Sequence, residues 1–101
     1  MTTYSVTFHP QALEEYNIAS VWYEIRQGGL GARFENAIDA KIKQILQNPL
    51  IFTTSKARYR QAVVDTFPFV IVYSVNSRNA EVYISAIHHT NKNPRSKFRK
   101  L

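Results

Sequence analysis

The chain has no cysteine, so it can form neither a disulfide framework nor a thiolate metal site. It has only three glycines, all inside Gly28–Gly31, so long flexible linkers and a phosphate-binding glycine loop after a strand are excluded elsewhere. Acid is scarce: seven Asp and Glu face thirteen Lys and Arg. No window approaches the ~18 apolar residues that a membrane helix needs. Met1–Tyr4 carries no basic, apolar leader. Together these absences predict a cytoplasmic protein in a reducing compartment, with no membrane association.

What is present is compact. A chain of 101 residues with 45% hydrophobic and 13% aromatic content fits one globular domain over residues 1–101. Such a chain buries about 65% of its unfolded surface, enough for a single core. The net charge of +6 is unevenly placed. Residues 1–50 hold four Lys and Arg against five acids; residues 51–101 hold nine against only Asp65 and Glu81. The second half therefore carries the field and points to an acidic partner, nucleic acid or protein.

Tyr4-Ser5-Val6-Thr7-Phe8 alternates as a short strand does, and His9-Pro10 then opens a helix. Ala12, Tyr16, Ala19 and Tyr23 follow helical spacing, with Glu14 and Glu15 near its positive end. Ile18, Trp22 and Ile25 make a second apolar row, which must meet a second helix or a partner. The glycine cluster ends this helix. Phe34, Ile38, Ile42 and Ile45 then mark one face of the next, whose other face (Glu35, Asp39, Lys43, Gln47) reads as solvated; Asn48-Pro49 stops it. Arg58–Val64, Phe69–Val75 and Glu81–His88 read as strands, with a turn at Asn76–Asn79. Strand alternation puts Lys56, Arg58 and Arg60 on one face, and Val82, Ile84 and Ala86 on one side of the last strand. The order β-α-α-β-β-β predicts an α+β fold, a helical hairpin on one face of a mainly antiparallel twisted sheet.

Across nearly the whole chain, these residues resemble the RelE/ParE superfamily of bacterial toxins, in its ParE-like, plasmid-stabilisation branch. The resemblance rests on Tyr4–Ala12, Trp22-Tyr23, Leu30-Gly31, Arg33-Phe34 and Asn48-Pro49. It also rests on the ordered set Arg60, Phe67-Pro68-Phe69, Ile71, Tyr73, Ile87, His89 and Pro94. It implies the toxin of a type II toxin–antitoxin system, forming a hetero-oligomer with a cognate antitoxin that wraps the hairpin and sheet. For the ParE branch the implied target is DNA gyrase, inhibited by protein binding; for the RelE branch it is mRNA, cut on the ribosome. A non-toxic, degenerate member is a third reading.

Two departures bear on that choice. Lys92 stands where the family's tail commonly has arginine, keeping the charge but losing the bidentate fork. Val70 stands three residues before Tyr73, where several RNA-cleaving relatives carry an arginine, and an apolar side chain cannot stabilise a developing phosphorane. The resemblance thus assigns target binding to Arg60, His89, Lys92 and Arg95, and antitoxin binding to Ile18, Trp22 and Ile25. A metal-independent nuclease would instead draw on His89 as acid or base with Arg60 and Arg58 on the phosphate. No cofactor or metal is expected: His9, His88 and His89 show no metal-ligand spacing. The basic tail, Lys92 to Lys100, either frays or lies against an acidic partner or the duplex bound by that partner.

Overall fold

The computed structural model describes residues 3–92 and 97–100. Its order is β1 (Ser5–Phe8), α1 (Pro10–Arg26), α2 (Leu30–Gln47), β2 (Thr53–Thr54), β3 (Arg60–Val63), β4 (Phe69–Asn76) and β5 (Glu81–His89). The five strands line up as β1-β5-β4-β3-β2, antiparallel throughout except for the parallel β1–β5 pair. The two helices and the three-strand meander stand as the sequence predicts. The two-residue β2 is additional, too short to leave a periodic signal.

Local chemistry sets the boundaries. His9 caps α1, its Nδ1 accepting from the Gln11 amide at 3.0 Å, and Pro10 occupies the first turn where no donor is lost. Gly29 takes φ 87° between the helices, a left-handed conformation that glycine adopts without cost. The Glu24 carboxylate then accepts from the Gly29 and Gly31 amides at 3.0–3.1 Å. Those are donors that the start of α2 leaves unpaired, and a negative charge there suits the helix dipole.

The hairpin is antiparallel. Tyr16 donates to Asp39, Ser20 donates to Glu35 and Glu24 meets Gly31, so contacts climb one helix as they descend the other. Glu35 and Asp39 are therefore not on a purely solvated face; they bind α1. The Tyr16 phenol is pushed up to about 12, first by burial and then by the Asp39 and Glu35 charges.

Both helices cover one side of the sheet. Ala12, Ala19, Phe34, Ile38, Ile42 and Ile45 pack there on Phe69, Ile71, Tyr73, Val82, Ile84 and Ile87. A smaller cluster, Tyr59, Val70, Val72 and Ala86 with Phe98, lies on the other, helix-free side. β4 is apolar on both faces because both are covered, which is why its sequence does not alternate.

β5 departs from simple alternation. Val72 pairs with Ala86 but Tyr73 with Ile84, so Ser85 is the extra residue of a β-bulge. The bulge puts Ile84 and Ile87 on the helix side and Ala86 on the other, correcting the expectation that Val82, Ile84 and Ala86 share a face. The basic segment also departs. Ala57 has φ 53° and Lys56–Arg58 form a turn, so only Arg60 is in a strand. The three cations do not share a face.

Gly31 sits where α2 lies close against α1. A Cβ there would lie 2.7 Å from the Ser20 carbonyl oxygen and 3.0 Å from the Glu24 side chain. Gly31→Ala therefore forces the hairpin apart. We expect it to lower stability by about 1–3 kcal/mol in urea unfolding, whereas Gly28→Ala, which meets only a side-chain end at 3.9 Å, stays near wild type.

Candidate functional site

The parallel partner of β5 runs out early. β1 pairs only with Glu81–Ile84, so among the described residues Ser85–His89 have no strand on that side. Glu15 of α1 fills part of the vacancy. Its Oε1 accepts from the Ile87 amide at 3.0 Å, and its two oxygens receive the Arg99 guanidinium at 3.1 and 2.7 Å. Arg99 also donates to the Ser85 carbonyl at 3.1 Å.

The segment around Arg99 is held by the bulge. Ser85 Oγ donates to the Lys97 carbonyl and accepts from the Arg99 amide, each at 2.6 Å, while the Tyr59 hydroxyl donates to the Arg99 carbonyl at 3.0 Å. The described end of the basic tail is thus docked on its own chain, and Arg99 is paired. Glu15 does more than favour the helix dipole. Its role leaves no mark in periodicity, since it joins residues 84 positions apart.

Beyond this plug, an apolar groove of about 640 Å³ opens between α1 and the end of β5. Ile18 and Trp22 form one wall; Phe69, Ile87 and His89 form the other, with Lys92 at the rim. α1 has two apolar faces. Ala12, Ala19 and Tyr23 turn inward, while Ile18 (59% exposed), Val21, Trp22 and Ile25 (80%) make a stripe on the solvent side. The Arg26 guanidinium lies 4.2 Å over the Trp22 ring at one end of that stripe. Ile25 belongs to the stripe and does not line the groove.

His89 ends β5 on the helix side, its ring edge-on to Phe69 at 5.0 Å. Its Nδ1 accepts from the Asn91 amide at 3.1 Å, and its carbonyl accepts from Lys92 at 3.0 Å, which fixes the turn that presents Lys92. His88 points the other way and is buried. Burial first, then the Lys97 charge, lowers its pKa below the usual 6.5; Arg99 adds to this, while a hydrogen bond to the Lys92 backbone and the Glu15 charge oppose it.

The remaining candidates lie elsewhere. One Arg60 nitrogen donates to the Leu50 and Phe52 carbonyls at 3.2 and 2.8 Å, tying down the α2–β2 loop. Tyr73 beside it donates to the Pro49 carbonyl at 2.7 Å; burial pushes this phenol up to about 12 against the lowering effect of Arg60. Arg60 pairs with Tyr73 and His89 with Phe69, four residues and two strand spacings apart. That separates them by roughly 16 Å. Arg58 stacks over Tyr59 on the helix-free side. Arg95 lies outside the described residues. The fold therefore brings together Ile18, Trp22, His89 and Lys92, and leaves Arg60 and Arg58 apart from them. Among the described residues, no three His, Asp or Glu side chains cluster to hold a metal, and no helix is long and apolar enough to cross a membrane.

A family model described as the ParE toxin of type II toxin–antitoxin systems, parDE, matches residues 6–94. A solved chromosomal ParDE system from P. aeruginosa superposes with TM-score 0.75 at 16% identity, covering 88% of this chain and 98% of that one. A double-arginine mutant of the E. coli toxin RelE, in the free state, gives 0.65 at 16% identity, covering 89% and 86%. The same mutant with an antitoxin RelBc peptide gives 0.60 at 17% identity, covering 82% and 79%. At these identities the structures share the fold. No curated protein matches the sequence.

The buried, pKa-depressed His88 gives stability a defined pH dependence. The unfolded chain takes up a proton as pH falls through about 6.5, whereas the folded His88 resists it. Its contribution is thus present above about pH 6.5 and is lost as pH falls below it. We expect the urea midpoint to drop between pH 7.5 and 5.5, and to drop measurably less in His88→Gln.

Proposed function

The chain belongs to the family of ParE toxins of type II toxin–antitoxin systems, and from that premise we propose that it acts by protein binding and not by catalysis. Its target is DNA gyrase, and a cognate antitoxin neutralises it. The observation that carries the reading is the apolar stripe of α1 running into the groove beside β5. A solvent-facing row of Ile18, Val21, Trp22 and Ile25 is a cost to a lone protein and an asset to one that lives in a complex. The antitoxin covers Ile18, Trp22 and Ile25. His89 and Lys92 on the groove rim form the target-binding end; Arg60 ties down the loop after α2, apart from that end.

Geometry weighs against RNA cleavage as the activity. A metal-independent nuclease needs an acid–base group and cations converging on one phosphate. His89 has Lys92 near it, but Arg60 stands roughly 16 Å away and Arg58 lies across the sheet. Val70, buried on the helix-free side, adds no charge.

Two assays test the reading. The product of the adjacent reading frame should co-purify with this chain, and Trp22→Glu should weaken that complex by about 30-fold or more, as for a buried interface anchor. Purified toxin should inhibit gyrase supercoiling, with the double variant His89→Ala, Lys92→Ala losing most of the inhibition while still binding the antitoxin. Gyrase that supercoils normally beside excess folded toxin would exclude gyrase as the target. Cleavage of ribosome-bound mRNA would replace this mechanism with catalysis.

A further inference from the structure

Two opposite charges bracket the exposed stripe of α1. Glu14 stands four residues before Ile18 and Arg26 four after Trp22, and both are exposed. The Arg26 guanidinium lies along the stripe, over the Trp22 ring. Glu14, one turn before Ile18, shares the stripe's face. Among the described residues neither charge has an ion-pair partner; the pairs present join Lys41 to Asp65 and Arg99 to Glu15. The nearby Glu24 carboxylate is engaged by the Gly29 and Gly31 amides. The spacing is symmetric. Glu14 and Arg26 stand six residues either side of position 20, and Ile18 and Trp22 stand two either side.

We propose that this face of α1 binds a second copy of itself, the two helices lying antiparallel about a two-fold axis level with position 20. Each Ile18 then lies beside the partner's Trp22, and each Glu14 beside the partner's Arg26. A two-fold contact needs a surface that is its own complement, so that residue i meets j while j meets i. The order acid, Ile, Trp, base along one helix meets that need in the antiparallel sense. A parallel pair would set Glu14 against Glu14 and Arg26 against Arg26. Glu14 to Arg26 spans about 18 Å of helix, so the contact is small and the dimer weak and reversible. The proposal concerns the toxin alone and does not rest on antitoxin binding. Where both hold, the antitoxin and the second copy compete for one stripe.

Sedimentation velocity of the full-length chain without antitoxin, from about 1 to about 200 µM, tests this directly. The mass should rise from one chain to two and stop there, with a Kd of about 10 µM, the weak end expected of so small an interface. Glu14→Arg alone and Arg26→Glu alone should each weaken the dimer at least tenfold, because symmetry repeats every mismatch twice. The double variant Glu14→Arg, Arg26→Glu restores both pairs and should return to within about threefold of wild type. Ile18→Ser should weaken the dimer at least tenfold, while Leu50→Asp, at another exposed apolar position, should leave it unchanged. A monomer at the highest concentration, association that continues beyond two chains, or a double variant no better than the single ones would overturn the proposal. None of these results would bear on antitoxin binding, which is read by co-purification.

Discussion

The shortness of β1 is the constraint on which the functional half of the molecule depends. Four residues of β1 leave the last five of β5 without a parallel neighbour among the described residues. Unpaired strand edges invite pairing with other chains. Here a single carboxylate answers: Glu15 takes the Ile87 amide and the Arg99 guanidinium together. The Ser85 bulge then binds the chain on both sides of Phe98. One side chain of α1 thereby fills part of the edge and anchors the tail, with the groove opening beyond it.

That arrangement divides the molecule by chemistry. The helix side presents an apolar stripe and groove, suited to a partner with its own apolar anchors. The other side is cationic and carries aromatic rings between its charges. The two surfaces sit on opposite faces of a sheet whose central strand, β4, is buried on both. β4 has no free face for function; it fixes the distance between the two sides.

Much of the fold is legible in the sequence because the signals are local. Pro10, the glycine cluster, Asn48-Pro49 and the apolar run of β4 each act through backbone rules that need no tertiary information. The misses share the opposite character. Ala57 in a left-handed conformation breaks the strand that would have aligned Lys56, Arg58 and Arg60, and alternation gives no warning of it. The Ser85 bulge reverses the inside and outside of half of β5, yet serine in an apolar strand looks like an ordinary interruption. The candidate site was half legible: the row Ile18, Trp22 and Ile25 stood out as unmatched, and His89 and Lys92 stood at the end of a strand. That Arg60 holds a loop far from them follows only from the register. Glu15 with Arg99 was invisible, since a pair 84 residues apart leaves no pattern.

The central claim is that the α1 stripe is the antitoxin-binding surface and that the end of β5 beside it is kept for the target. Amide hydrogen exchange on the toxin, with and without the product of the adjacent reading frame, tests it most directly. The account predicts added protection over Ile18–Ile25, with β2 and the Lys56–Arg58 turn unchanged. Protection confined to the helix-free side, with α1 unaltered, would contradict it.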